Sequence, residues 1–117
     1  MSVAALTNSP RAVARARVTY AGLAELFGEI LSADTVRALK PAPEPYRHVA
    51  SACDVGLGRV RLVAAHSWDL SGALAAGCRA AFVARPGAVL SPLGRQPDIV
   101  GPDLGSVVEQ IIATDLC

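Results

Sequence analysis

A chain of 117 residues, 52% of them apolar, can bury one modest core and is too short for two full domains. Its formal charge of +1, from 11 basic and 10 acidic residues, provides no electrostatic footprint for nucleic acid, and its apolar content argues against disorder. No apolar run approaches the roughly 20 residues that span a bilayer, and the first residues lack the charged and apolar regions of a signal peptide, so a cytoplasmic protein with no membrane partner is expected.

Val3 to Leu6 predicts a buried strand, stopped by the polar turn Thr7-Asn8-Ser9-Pro10. Ser9 as N-cap and Pro10 at the first helical position then predict a helix. Val13, Ala16, Tyr20, Leu23 and Phe27 recur at steps of three and four and mark its buried stripe, with Arg15, Arg17 and Glu25 off it and Gly28 as its end. Arg11, Arg15, Arg17, Arg37 and Arg47 are scattered among helices and read as solvated faces. Glu29 to Ala33 predicts a second strand and Asp34 to Leu39 a single helical turn, because Lys40-Pro41-Ala42-Pro43 forces extended backbone. Pro43 or Pro45 suits the first turn of the next helix. Tyr46, Val49, Ala50 and Cys53 mark its inner side, and Gly56 its C-cap. Gly56-Leu57-Gly58 follows a helix and precedes a strand, the reverse of a phosphate loop, and is read as a turn.

The stretch Leu62 to Gly77, LVAAHSWDLSGALAAG, organises the rest. Its small apolar residues predict a buried strand to Ala65. A polar corner at His66, Ser67 and Asp69 follows, then a helix ending at Gly77. An open α/β sheet keeps its chemistry at the carboxyl ends of its strands, so these polar groups are candidates for a ligand site. A helix cap made by Asp69 or Ser67 explains them equally well. Ala80 to Val83 predicts another strand closed by Arg85-Pro86-Gly87, Ala88 to Gln96 a loop, and Asp98 to Val100 a short edge strand. Gly101-Pro102-Asp103 opens a last helix, in which Leu104, Val107, Val108, Ile111 and Ile112 carry the amphipathic spacing. Strands alternating with helices predict an α/β fold, a Rossmann-like parallel sheet flanked by helices in a single domain over residues 1–117. Cys53, Cys78 and Cys117, odd in number and without CxxC spacing, fit reduced thiols better than a disulfide or zinc site.

The blocks LTNS, KPAPEPY and AAHSWDLSGALAAGCRAAFVARPG, in that order, resemble motifs two, three and four of the haloacid dehalogenase superfamily, and within it the type II 2-haloacid dehalogenase branch. The resemblance runs from Val3 to Gly87. It implies that Thr7 is the hydroxyl that hydrogen-bonds a nucleophilic carboxylate, and that Asn8 helps hold the substrate carboxylate. It makes Lys40 the ammonium that neutralises and orients the nucleophile, and Asp69 the acid that pairs with this lysine and positions the hydrolytic water. It places Tyr46 beside the site. His66 and Ala64 stand where better-known dehalogenases have asparagine and serine, and His66 falls among the substrate-binding positions. Taken singly, Lys40 reads as an exposed loop lysine, Tyr46 as a half-buried helix residue and His66 as a structural or solvent-facing histidine; the constellation carries the assignment.

Phosphatase relatives in the superfamily hold Mg²⁺ with a carboxylate four residues before the Asp69 position, where this chain has Ala65. Alanine offers no oxygen ligand, so the resemblance leans toward metal-independent chemistry with no cofactor. The implied reaction is displacement of halide from a short 2-haloalkanoic acid by an aspartate, then hydrolysis of the ester.

The superfamily's nucleophile lies on a DxD-type first strand that, with a helical cap, precedes motif two. Met1 stands two residues before the motif-two strand. Asp34, Asp54, Asp98 and Asp103 do not follow strands in the required setting. The expectation is a truncated haloacid-dehalogenase-like core. Such a core is marginally stable or self-associating and inactive alone, and would be completed by a polypeptide that supplies the strand and cap. The alternatives are a non-enzymatic remnant or interaction module, or a phosphatase-like member of the superfamily.

Overall fold

A computed structural model describes residues 2–116. Two compact units divide the chain, Met1–Leu57 and Gly58–Cys117. The first contains strand β1 (Ala4–Thr7), helix α1 (Arg11–Tyr20), strand β2 (Glu29–Ser32) and helix α2 (Pro43–Ala52), with short 3-10 turns at Ala24–Leu26 and Ala33–Val36. β1 and β2 run parallel, with Ala4 beside Glu29 and Thr7 beside Ser32. The adjacent residues Ile30 and Leu31 point to opposite faces of β2, and both are buried, so both faces of this strand are covered. α1 and α2 both pack on it.

The buried stripe of α1 is not the one its spacing predicts. Ala14 is buried and Val18 half-buried one turn later, whereas Val13 and Leu23 are exposed and Tyr20 is 95% exposed. The helix stops at Tyr20 because Gly22 takes a left-handed φ of 74°. The Gly22 and Leu23 amides then donate to the carbonyls of Thr19 and Val18, so Leu23 and Phe27 never join the helix. Its rotation is set by Arg11, whose Nε donates to the Ile30 carbonyl at 3.2 Å. Arg11, Ala14 and Val18 lie three and four residues apart, on one face. The N-cap is Pro10, not Ser9. Ser9 is held otherwise: its amide donates to Thr7 Oγ1 and its carbonyl accepts from Ser32 Oγ.

In α2, Tyr46 and Ala50 are buried and Val49 and Cys53 half-buried, as the spacing predicts. The helix ends before Gly56. Asp54 adopts the left-handed conformation at φ 53°, and the Asp54 and Val55 amides close on Ser51 and Ala50. Aspartate tolerates this region better than most residues, which is why no glycine is needed there.

The second unit contains strand β3 (Arg61–Ala64), helix α3 (Ser67–Ala76), strand β4 (Arg79–Val83), strand β5 (Ile99–Gly101) and helix α4 (Leu104–Asp115), with a 3-10 turn at Leu57–Arg59 on its border. Its three strands pair in parallel in the order β3-β4-β5. β4 is central and alternates between two apolar clusters. Ala81 and Val83 meet Ile99 and the α4 residues Val107 and Ile111. Ala80 and Phe82 meet the α3 residues Leu70 and Leu74. α3 closes as predicted at Gly77, which takes φ 107°. Gly101 ends β5 rather than opening the helix, and a Cβ there would lie 2.9 Å from Ser106 Oγ and 3.0 Å from Val107 Cγ2. Only glycine lets α4 lie so close to this strand. Asp103 is the α4 N-cap and accepts from the Ser106 amide at 2.8 Å.

Strand parity shows where each sheet ends. Arg79 donates its amide to the Val60 carbonyl, so residues 60, 62 and 64 face β4 and Arg61 and Val63 turn their N–H and C=O groups to the other edge. In β1 the same alternation turns Ala4 and Leu6 away from β2. Among the described residues no strand pairs with either outer edge. The edge strands are accordingly less buried than β4, and Val63 is 40% exposed.

One polar cluster inside the second unit has no signature in the sequence. The Arg61 side chain is 7% exposed. It donates Nε to Asp115 Oδ2 at 2.7 Å, Nη2 to Asp115 Oδ1 at 2.9 Å, Nη1 to Asp98 Oδ1 at 2.6 Å and Nη1 to the Ala80 carbonyl at 2.8 Å. This fork ties β3, β4, the start of β5 and the end of α4 together. The hydrogen bonds from Arg61 hold the carboxyls of Asp115 and Asp98 below the usual carboxylate range. A carboxyl with a lowered folded-state pKa contributes stability that is complete above its unfolded value, near 4, and is lost as the pH falls through the folded value. Arg61→Ala is therefore expected to cost the second unit about 2–4 kcal/mol at neutral pH. It should also flatten the stability loss below about pH 4, as followed by urea unfolding across pH.

Candidate functional site

In the first unit the loop after β1 and the loop before α2 are stitched together at the carboxyl end of the sheet. Asn8 Oδ1 accepts from the Lys40 amide at 2.8 Å, and Asn8 Nδ2 donates to the Lys40 carbonyl at 3.4 Å. Lys40 extends its Nζ to the Leu6 carbonyl at 3.3 Å. Leu6 belongs to the outward set of β1, so this ammonium stands on the unpaired edge, at its carboxyl end. Thr7 Oγ1 accepts the Ser9 amide at 3.0 Å, which tightens the same turn. Lys40, 32 residues from Asn8 in the chain, is thus brought to the Thr7-Asn8 turn. Tyr46 is buried, 2% exposed, and takes its place among the interior side chains.

The sequence offers one further contributor that the motif reading misses. Ser32, beside Thr7 in the sheet register, is 1% exposed, donates Oγ to the Ser9 carbonyl at 2.6 Å and accepts the Asp34 amide at 3.1 Å. It fastens the Thr7-Asn8 turn to the end of β2. The only signal is a hydroxyl closing the apolar run Ile30-Leu31, at the strand end where such folds keep their polar groups.

In the second unit His66, Ser67 and Asp69 sit where β3 passes into α3. The N-cap is His66, whose side chain makes no capping bond. Its exposed ring lies 6.0 Å from that of Trp68, tilted by 34°. Ser67 is engaged elsewhere than as a cap: its Oγ accepts the Ser91 amide at 2.8 Å and anchors the loop before β5. Asp69 lies in the first turn of α3 and is 6% exposed. A carboxylate there is favoured by the helix dipole. Among the described residues no buried side-chain nitrogen or oxygen lacks a hydrogen-bond partner, so the burial of Asp69 is compensated. Ala65, just before this corner, packs against the cluster of Ala81, Val83, Ile99, Val107 and Ile111. Among the described residues no three His, Cys, Asp or Glu side chains are grouped to hold a metal.

The family model described as haloacid dehalogenase-like hydrolase matches residues 1–77, more than half of the chain. The chain belongs to the haloacid dehalogenase-like hydrolases. It is similar to haloacetate dehalogenase H-2 of Moraxella sp. (strain B), at 30% identity over 111 residues that cover 95% of this chain and 50% of the relative. It is also similar to the plasmid phosphoglycolate phosphatase of Cupriavidus necator, at 35% identity over 75 residues, 64% of this chain and 32% of the relative. Among solved structures, the L-2-haloacid dehalogenase of Xanthobacter autotrophicus with chloropropionic acid covalently bound superposes with a TM-score of 0.89 at 26% identity, over 97% of this chain and 56% of that one. The α/β architecture with parallel strands is thus that of the haloacid dehalogenase-like fold. The chain spans about half the length of the dehalogenases it matches.

No helix among the described residues of this haloacid dehalogenase-like chain is long and apolar enough to cross a membrane. Its Asn8 amide is spent on the Lys40 backbone. Asn8→Ala removes two partly buried hydrogen bonds and is expected to destabilise the first unit by about 1–2 kcal/mol. Asn8→Asp, which keeps the Oδ1 acceptor, is expected to lose less. Urea midpoints together with the amide resonance of Lys40 decide the point: a wild-type midpoint and an unshifted Lys40 amide in Asn8→Ala would remove the tether from the account.

Proposed function

We propose that this chain is the motif-two-to-four part of a hydrolase that cleaves the carbon–halogen bond of short 2-haloalkanoic acids, and that its two units are halves of one core domain. The observation that carries this reading is the Lys40 ammonium at the unpaired carboxyl end of β1. A strand pairing in parallel with that edge would bring a side chain just past its last residue close to this cation. An aspartate there would be kept ionised by it. We assign that strand to a further segment or a separate polypeptide.

The proposed reaction has two steps. A carboxylate oxygen of the supplied aspartate attacks C2 of the substrate, the new C–O bond forms as the carbon–halogen bond breaks, and halide departs with the bonding pair. Water then adds to the aspartyl ester carbonyl, the 2-hydroxy acid leaves, and the carboxylate is regenerated. In this reading Lys40 neutralises and orients the nucleophile, Thr7 supplies a hydroxyl to it, and Asp69 pairs with Lys40 and positions the water. Asn8, Tyr46 and His66 border the substrate, with Asn8 acting partly through the Lys40 backbone it holds. Ala65 favours this reading over a Mg²⁺-dependent phosphatase, because its methyl group offers no oxygen ligand. The similarity to a phosphoglycolate phosphatase supports phosphate-ester hydrolysis as the second reading.

Halide release distinguishes these readings. The chain alone is expected to release no chloride from 2-chloropropionate. Mixed with a fragment that carries the aspartate strand and cap of a related dehalogenase, it is expected to turn over without added Mg²⁺. In that complex Lys40→Ala and Asp69→Ala should each reduce turnover by about 10²- to 10³-fold, the range for removing one preorganised charged group. Chloride release by the chain alone would overturn the need for an external carboxylate. A well-formed complex that instead hydrolyses phosphoglycolate, only with Mg²⁺, would overturn the dehalogenase reading.

A further inference from the structure

At the amino-terminal end of the second unit's sheet, away from His66 and Asp69, lies a cavity of about 400 Å³. Arg79, the first residue of β4, and Arg95, in the loop before β5, both line it, with Gln96 and Asp98 beside them and Gly58 and Gly77 forming wall without side chains. Each guanidinium is tethered by a single nitrogen. Arg79 Nη1 donates to Asp115 Oδ1 at 3.2 Å, and Arg95 Nη1 donates to the Leu74 carbonyl at 3.2 Å. An arginine carries five N–H donors, so both keep Nε–H and the whole of Nη2 for another acceptor.

From these two arginines the acidic groups nearby take only Arg79 Nη1, which pairs with Asp115. Both oxygens of Asp98 accept from Arg61, at 2.6 and 3.2 Å, and both oxygens of Asp115 accept from Arg61 as well. Arg61, Arg79 and Arg95 against Asp98 and Asp115 leave this cluster with one positive charge in excess. Cys78 lines the same cavity but is 2% exposed, and burial pushes its thiol up, so it is no nucleophile there. The volume falls within the range of small-ligand sites. Two planar forks with spare donors suit a tetrahedral or planar oxyanion.

We propose that this cavity binds a phosphate group, free or at the end of a phosphate monoester, between Arg79 and Arg95. The site is separate from the haloacid chemistry proposed above and stands whether or not that chemistry holds. The test follows the arginine Nε–H resonances of the full chain, in whatever assembly it forms, during titration with inorganic phosphate at constant ionic strength set with chloride. Arg79 and Arg95 should shift saturably with a millimolar midpoint, while Arg47 and Arg85, outside the cavity, stay in place. Arg95→Gln should weaken the midpoint about tenfold, and Arg95→Lys, which keeps the charge and loses the fork, by an intermediate factor. A parallel titration with glycerol 3-phosphate separates the two sources, a tighter midpoint marking the monoester. Shifts that are linear in phosphate, or equal at all arginines, would show ionic screening only and overturn the proposal, as would an unchanged midpoint in a folded Arg95→Gln.

Discussion

Every N–H and C=O along a strand needs a partner, and the structure is arranged around how the outer edges of two parallel sheets meet that requirement. The outer edges of β2 and β5 are each met by a side chain from elsewhere in the same unit: Arg11 caps the Ile30 carbonyl of β2 and Gln110 Nε2 caps the Val100 carbonyl of β5 at 2.8 Å. The edge of β1 meets one only at its carboxyl end, where Lys40 reaches the Leu6 carbonyl, and no strand pairs with it among the described residues. The edge of β3 is barer still. Among the described residues nothing hydrogen-bonds the outward backbone groups of Val63, and its side chain is 40% exposed. Flat, apolar, unpaired edges are templates for another strand.

The candidate site residues Thr7, Asn8, His66 and Asp69 lie at or just past the carboxyl ends of β1 and β3. Lys40 does not reach β1 by its own sequence neighbours; Asn8 grips its backbone from one side while Ser32 braces the turn that carries Asn8. The loop lysine is thereby held as a cation at the carboxyl end of the outer edge of β1. At the opposite end of the second unit, Arg61 holds the amino-terminal ends of β3 and β4 to the termini of β5 and α4.

Much of this was legible in the residues. Short apolar runs separated by helical spacing foretold parallel βαβ units, Gly77 foretold the end of α3, and the order of three polar blocks foretold the family. What the residues concealed depends on distant partners. The buried face of α1 differs from the one its spacing predicts: Arg11 reaches the Ile30 carbonyl and Ala14 and Val18 turn inward, and no periodicity contains that bond. α2 ends on Asp54 through a left-handed aspartate where glycine is the usual signal. Arg61 meets partners 37 and 54 residues away and looks from the sequence like any strand-end arginine. Within the candidate site, Thr7, Asn8 and Lys40 were found by resemblance. The commitment of the Asn8 amide to the Lys40 backbone was not, because a motif records which residues recur and not which atoms they spend.

The central claim is that the outer edges of β1 and β3 are open acceptors for a parallel strand. Amide hydrogen exchange resolved by residue tests it most directly. In the chain alone the outward amides of Leu6 and Val63 should exchange fast beside the inward amides of Leu62 and Ala64. Adding the aspartate-bearing strand fragment should slow Leu6 and Val63 by at least about tenfold and leave the Val100 amide on the outer edge of β5 unchanged. Slow exchange at Val63 before any strand is added, or protection that appears at Val100 instead, would contradict the account.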